Sequence, residues 1–277
     1  MYTLNCKGKL LVLDTPVVMG IINITPDSFY EGHLDKNITT ILQMAGKMLA
    51  DGAAILDVGG QSTKPGSNPI TADEELKRVL PVIDAIKKNY PEAIVSIDTY
   101  YSKVAQEAIN AGASIVNDVS AGEMDNKMLA TVAALQVPFI AMHIKGTPET
   151  MQNNPLYEDV VKEVLDFFIK KIDECKKAGI KDVVIDPGFG FGKTIQHNFQ
   201  LLKNLAAFKM LDKPILAGLS RKGTIYKTLN ITAAEALNGT TCLNTIALLN
   251  GANIVRVHDV KEATETIKLL QVYDQQA

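Results

Sequence analysis

Short apolar runs rich in β-branched residues alternate along the chain with longer stretches of helical periodicity. The runs are VVMGII (17–22), AAILDV (53–58), AIVSID (93–98), SIVND (114–118), PFIAMH (138–143), DVVID (182–186), PILAGL (214–219) and NIVRV (253–257). They are nearly continuous in apolar character rather than alternating, as parallel strands covered on both faces are. Between them, apolar residues fall on single helical faces: Ile41, Ala45 and Met48; Leu76, Val79, Leu80 and Ile83; Val161, Val164, Leu165, Phe168 and Ile172; Val260, Ala263, Ile267 and Leu270. Thr71-Ala-Asp-Glu74 has the spacing of a capping box that opens the second helix. Eight strands alternating with helices predict an α/β fold, a single (β/α)8 TIM barrel over residues 17–272. Residues 1–16 are expected to form a short hairpin closing its bottom, with 273–277 a tail of the same domain.

A weak internal echo supports the repeat. DGAAILDV, AGASIVND, AGIKDVVID and NGANIVRVH each place a Gly, the expected left-handed end of a helix, shortly before a strand. The strands end in polar residues: Asp57, Asp98, Asn117, Asp186, and then Arg256 with His258. Parallel barrel strands deliver their C-terminal ends to one mouth, so these tips should converge there. Asp98, Asn117 and Asp186 together suit the hydrogen-bonding edge of a guanidine-like heterocycle, which offers several N–H donors. Asp57 reads better as a helix cap or as a support behind them.

The connections carry the remaining chemistry. Those from Asn23 to about Asn37 and from Gly59 to Ile70 exceed the ~2–6 residues usual for a βα loop, which marks them as substrate loops or lids. In the first, NITPDSF, Asn23 and Asp27 offer hard oxygen ligands suited to a Mg²⁺ shared with substrate phosphates. In the second, GGQSTKPG, Ser62, Thr63 and Lys64 can meet an anion or a second substrate. DPGFGFGK (186–193) lacks the GxxxxGK[ST] spacing of a nucleotide loop, and its glycines are expected to pack beneath exposed Phe189 and Phe191. Lys222, Arg256 and His258 fall at the corner of strands seven and eight, where barrels often bind phosphate. His33, His143 and His197 have no metal-ligand spacing.

Composition narrows the setting. With 28 basic and 31 acidic residues among 277, the net charge of −3 argues against a nucleic-acid binder. No run reaches the roughly 18 apolar residues of a membrane span, and the N-terminal apolar stretch, broken by Asp14 and Pro16, is not a convincing signal peptide. Three widely spaced cysteines, Cys6, Cys175 and Cys242, fit a reducing compartment, so the expected location is the cytoplasm.

Taken in order, NITPDSF, GGQSTKPG, SIDTY, NDVS, DPGFGFGK, GLSRK and RVHD resemble the dihydropteroate synthase family, over essentially residues 15–272. The resemblance implies a transferase of folate biosynthesis, a sulfonamide target, that condenses 6-hydroxymethyl-7,8-dihydropterin diphosphate with p-aminobenzoate and releases pyrophosphate. It implies that Asp98, Asn117, Met142, Asp186, Gly218, Lys222 and Arg256 bind the pterin, and that Asn23, Thr63, Arg256 and His258 bind the diphosphate. It further implies aminobenzoate contacts from Thr63, Lys64, Pro65, Phe191, Ser220 and Lys222, a Mg²⁺ cofactor at Asn23 and Asp27, and a homodimer. Asp98, Asp186, Lys222, Arg256 and His258 would be catalytic, in a dissociative, SN1-like substitution that needs no dedicated base. Acidic and amide tips are expected on one side of the mouth and basic tips on the other.

The second loop departs from the family's usual GGESTRPG: Gln61 and Lys64 replace an acid and an arginine, as though an ion pair had been removed. Two alternatives share the Asp/Asn set, a methyltetrahydrofolate:corrinoid methyltransferase and a non-catalytic pterin-binding protein. Neither has need of Asn23, Lys222, Arg256 and His258 together.

Overall fold

The structure is a computed structural model. It describes residues 1–24, 34–61, 69–147, 150–151 and 155–275, without the side chains of 34–37. An N-terminal hairpin, β1 (Tyr2–Cys6) and β2 (Lys9–Leu13), precedes eight parallel strands. These are β3 (Val17–Asn23), β4 (Ala53–Gly59), β5 (Ile94–Asp98), β6 (Ile115–Asp118), β7 (Phe139–Met142), β8 (Val183–Asp186), β9 (Leu216–Ala217) and β10 (Ile254–Val257). Helices α1 (Leu34–Ala50), α2 (Ala72–Asn89), α3 (Ser102–Asn110), α4 (Met128–Leu135), α5 (Val160–Ala178) and α6 (Ile195–Lys203) follow β3 to β8 in turn. Two helices, α7 (Gly223–Leu229) and α8 (Leu237–Leu249), follow β9, and α9 (Val260–Asp274) follows β10. The sheet runs β8-β7-β6-β5-β4-β3-β10-β9, and a parallel bridge between Ile185 and Ile215 joins its two edges into a barrel.

Three expectations needed correction. The seventh strand, predicted over 214–219, has a ladder only at Leu216–Ala217; at its start Pro214 has no N–H to donate and Ile215 forms an isolated bridge to Ile185. The first long connection ends before Leu34 rather than at about Asn37. One helix was also missed, since two rather than one separate β9 from β10. Elsewhere the local signals hold. Thr71 and Glu74 form the capping box on α2, and Gly52, Gly112, Gly179 and Gly251 all take positive φ before their strands.

Side-chain alternation divides each strand into an outer and an inner face. Outward residues such as Val18, Leu56, Val95, Val116 and Val255 join the apolar faces of the helices in the main core. Inward residues Met19, Ile55, Ile94, Ile115, Ile140, Val184, Leu216 and Ile254 form a second apolar cluster, sealed below by Leu4, Cys6 and Leu13 of the hairpin. The hairpin therefore plugs the bottom. Two residues further along, the inward positions become Ile21, Asp57, Ser96, Asn117, Met142, Asp186, Gly218 and Arg256. The barrel interior changes from hydrocarbon to polar in one layer, and that layer is the floor of the mouth.

Candidate functional site

Arg256 organises this floor. Its Nε donates to Asp57 Oδ2 at 2.6 Å and its Nη2 to Asp98 Oδ2 at 2.6 Å, so one guanidinium holds two carboxylates apart. Asn117 Nδ2 donates to the same Asp57 oxygen at 3.1 Å. Asp57, with no exposed surface, thus supports the guanidinium and the carboxamide from behind and caps no helix. Burial raises the Asp98 carboxyl to about 7 against the pull of Arg256, with Asp57, Asp118 and Asp186 adding to the rise. Burial opposes the Arg256 charge, but Asp57 and Asp98 outweigh it and raise the guanidinium above its usual range. The expected separation of acidic and basic sides does not occur. The charges interleave, because buried carboxylates this close need a cation between them.

Asp186 lies across the floor. Gly188 N–H donates to its Oδ1 at 2.8 Å, which fixes the carboxylate at the start of the following loop. A Cβ built on Gly218 would stand 3.5 Å from Lys222 Nζ and 3.9 Å from Asp186 Oδ2. The glycine therefore leaves room between these two charges. Burial lowers Lys222 to about 8, with Arg256 pushing the same way and Asp186 and Asp98 opposing. Its Nζ donates to Phe189 O at 2.5 Å and stands 4.5 Å from the Phe191 ring centroid. Phe189 and Phe191 were expected to be exposed, and both are buried. Phe189 enters the core beside α5 and α6, and Phe191 packs with Tyr100, Val119, Met142 and Met151.

At the strand corner, Ser220 Oγ lies 3.0 Å from His258 Nδ1 and accepts from His258 N–H at 3.2 Å. The hydroxyl has a second lone pair as well as its proton, so this contact fits either tautomer; with the serine as donor to Nδ1, the neutral imidazole carries its proton at Nε2. His258 keeps an exposed edge at the mouth, but desolvation of its ring, followed by the charge of Arg256, lowers it to about 4. Arg221 forks onto Asp259 at 2.9 and 2.8 Å and ties the ends of β9 and β10 together. Asn23 ends β3 with an exposed side chain, and its Oδ1 lies on the same side of Gly59 as Asp98.

The structure thus gathers Asn23, Asp98, Asn117, Met142, Asp186, Phe191, Gly218, Ser220, Lys222, Arg256 and His258 at one mouth. Asp27, His33, Ser62, Thr63, Lys64 and Pro65 lie outside the described residues. His143 is buried, and His197 closes the N-terminal cap of α6. Gln61, the departure in the second loop, donates from its amide to the Tyr100 hydroxyl. Beneath it lies Glu75, which the sequence reading missed. This acid is 1% exposed, accepts from Thr99 Oγ1 at 2.9 Å, and is raised to about 8 chiefly by burial. Its spacing with Val79, Ile83 and Ile86 puts it on the buried face of α2, and that signal could have found it.

A parallel barrel with acids and an amide on its floor and cations laced through them defines a class, the pterin-binding enzymes. The family described as "Pterin binding enzyme" matches residues 19–258. The dihydropteroate synthase of Escherichia coli K12 is 42% identical over 267 residues, covering 96% of this chain and 94% of its own. The Yersinia pestis dihydropteroate synthase solved with a sulfonamide drug superposes with a TM-score of 0.93 at 38% identity, covering 99% and 100% of the two chains. The Xanthomonas albilineans enzyme in complex with 7,8-dihydropteroate gives 0.88 at 36% identity, covering 99% of each. The chain belongs to the dihydropteroate synthase family.

Proposed function

We propose that this protein condenses 6-hydroxymethyl-7,8-dihydropterin diphosphate with p-aminobenzoate, releasing pyrophosphate and 7,8-dihydropteroate. The observation that carries the reading is the polar floor, where Asp98, Asn117 and Asp186 meet above an apolar plug with Gly218 leaving space beside them. The pterin edge donates to these acceptors, and Met142 lies against its face. The diphosphate reaches toward Asn23, Thr63, Arg256 and His258, and His258 offers a neutral Nε2–H. Lys222 stands between the pterin and an aminobenzoate held by Phe191, Ser220, Thr63, Lys64 and Pro65.

As the C–O bond to the diphosphate lengthens, negative charge gathers on the leaving group beside Arg256 and His258. Positive charge spreads through the pterin toward the Asp98 and Asp186 carboxyls, whose raised affinity for a proton is offset as that charge develops beside them, which favours a dissociative path. The weakly basic aniline nitrogen attacks late and needs no base of its own. Mg²⁺ at Asn23 and Asp27 fits a site with few protein ligands, since this ion takes much of its octahedral shell from water and phosphate. Among the described residues no group of three His, Cys, Asp or Glu side chains is arranged to hold a metal ion by itself. When bound, the ion would supply further neutralisation of the diphosphate.

The same reading includes a homodimer and a cytoplasmic setting. Packed side by side, α8 and α9 leave Ile246, Leu249, Leu269 and Tyr273 exposed, an apolar surface suited to a second copy. Cys6, Cys175 and Cys242 are all unpaired, and no helix among the described residues is long and apolar enough to cross a membrane. The test is direct. With both substrates and Mg²⁺, the purified protein forms dihydropteroate and one pyrophosphate per turnover; absence of product refutes the reading.

A further inference from the structure

We propose that Lys193 is a positioning residue for the reaction: from inside the 186–193 loop it gathers the carbonyls that set the seat of Lys222. The inference rests on the reading of Lys222 as the residue between the two substrates.

Lys193 is 2% exposed, and its Nζ meets Gly188 O at 3.0 Å, Phe191 O at 3.0 Å and His143 Nδ1 at 2.9 Å, with His143 O further off at 3.3 Å. An ammonium has three N–H donors, and three near acceptors surround it. No carboxylate pairs with it among the described residues. Burying a cation on dipoles alone costs stability that a methionine of similar length would keep. Local geometry shows what the amine accomplishes. Gly188, Gly190 and Gly192 take φ values of 69, 85 and 63°, so apart from a turn bond from Phe191 N–H to Gly188 O at 3.1 Å, side chains rather than a helical or strand ladder meet the carbonyls of this loop. Lys193 draws those of residues 188 and 191 inward. The Phe189 carbonyl is left for Lys222 at 2.5 Å, and the Phe191 ring lies beneath the same ammonium at 4.5 Å.

The loop backbone packs too closely against the end of β7 and the segment after it to carry side chains at Gly188 and Gly192. A Cβ on Gly188 would come within 1.9 Å of His143 O, and one on Gly192 within 2.3 Å of Lys145 O. From the other side, Asn198 Oδ1 accepts from Gly190 N–H at 2.7 Å. The two lysines therefore share one loop: Lys193 works on its inner face and Lys222 rests on its outer face. Burial depresses Lys193 and Lys222 alike, and the charged groups facing Lys222 are Asp186, Arg256, Asp98, Lys193 itself and, at the corner, His258.

The experiment compares Lys193→Met, His143→Asn and Lys222→Met with the wild type by steady-state kinetics and pH profiles. Lys193→Met is expected to raise the aminobenzoate KM at least tenfold and leave the pterin diphosphate KM within threefold. The basic limb of its kcat profile should move up by at least half a pH unit, as Lys222 leaves its buried seat. His143→Asn should shift both in the same direction by less, and it decides the matter if Lys193→Met does not fold. An unmoved basic limb and an unchanged aminobenzoate KM in the folded variants overturn the proposal, whereas lower melting temperature alone means a purely structural lysine. Full activity in Lys222→Met overturns the underlying reading of Lys222; an inactive Lys222→Met beside an unaffected Lys193→Met overturns the Lys193 inference alone.

Discussion

Arg256→Lys is the substitution that most sharply tests the interleaved floor. Arginine reaches Asp57 through Nε and Asp98 through Nη2, both at 2.6 Å, with the three side chains 17%, 0% and 9% exposed. A lysine carries one nitrogen and cannot occupy both positions, so one charge-assisted bond is lost and one carboxylate stays buried without its cation. A hydrogen bond to a charged group contributes about 1.5–3 kcal/mol. At about 1.4 kcal/mol per factor of ten, pterin diphosphate affinity should fall about 10- to 150-fold. Isothermal titration measures that fall, and a thermal melt confirms that the variant is folded. Asp57→Asn perturbs the same contact from behind, so the double variant should show a coupling of about 1–3 kcal/mol rather than additivity. Affinity within threefold of wild type, or strict additivity, would mean that Arg256 acts on the ligand without organising Asp57 and Asp98.

Three further outcomes follow from the geometry. Folded Glu75 keeps its proton up to about pH 8, whereas the unfolded chain releases it near 4.5, so its contribution to stability is lost as pH rises between those values, at up to about 1.4 kcal/mol per pH unit. Glu75→Gln should flatten denaturation free energy against pH in that window; parallel curves for the two proteins would show that Glu75 is ionised when folded. For His258, lowered to about 4, NMR should find the Nε2–H tautomer at pH 7 and a midpoint well below 6.5, and a midpoint near 6.5 would exclude the neutral donor. Gly218→Ala places a methyl 3.5 Å from Lys222 Nζ, an ordinary contact for the fold but an obstruction for the pterin. A melting temperature near wild type with pterin affinity reduced about tenfold or more is expected, and unchanged affinity would remove Gly218 from the pocket.

Much of this was legible along the chain, and the exceptions have physical causes. Buried parallel strands are apolar on both faces, so their runs stand out, and a strand's polar last residue points at the mouth because the fold leaves it nowhere else to end. Asp98, Asn117, Asp186 and Arg256 were found that way. Phe189 and Phe191 were misread because a glycine-rich stretch resembles a solvent loop; Lys193, which folds it back onto the end of β7, is read as a surface charge until its partners are known. The Arg256 interlock was hidden because Asp57, Asp98 and Arg256 are 199 and 158 residues apart in their pairings, and only sheet closure brings them together. Glu75 adjoins a capping box whose acid, Glu74, faces solvent, and only its helical register with Val79 and Ile83 separates the inward acid from its neighbour.

The change of layer inside the barrel also governs how the sequence can drift. Along a given strand, two inward residues in succession answer to different demands: Ile55 then Asp57, Ile115 then Asn117, Val184 then Asp186. The first of each pair needs only volume and hydrocarbon, so Val, Leu or Met can replace it at modest cost when a neighbour compensates. The second needs a particular donor or acceptor at a particular angle, and an isostere such as Asn for Asp already fails. Saturation mutagenesis scored on survival would therefore show tolerance changing within about 7 Å along a strand, two residues of rise. That step, rather than burial, marks where the chain ceases to be scaffold.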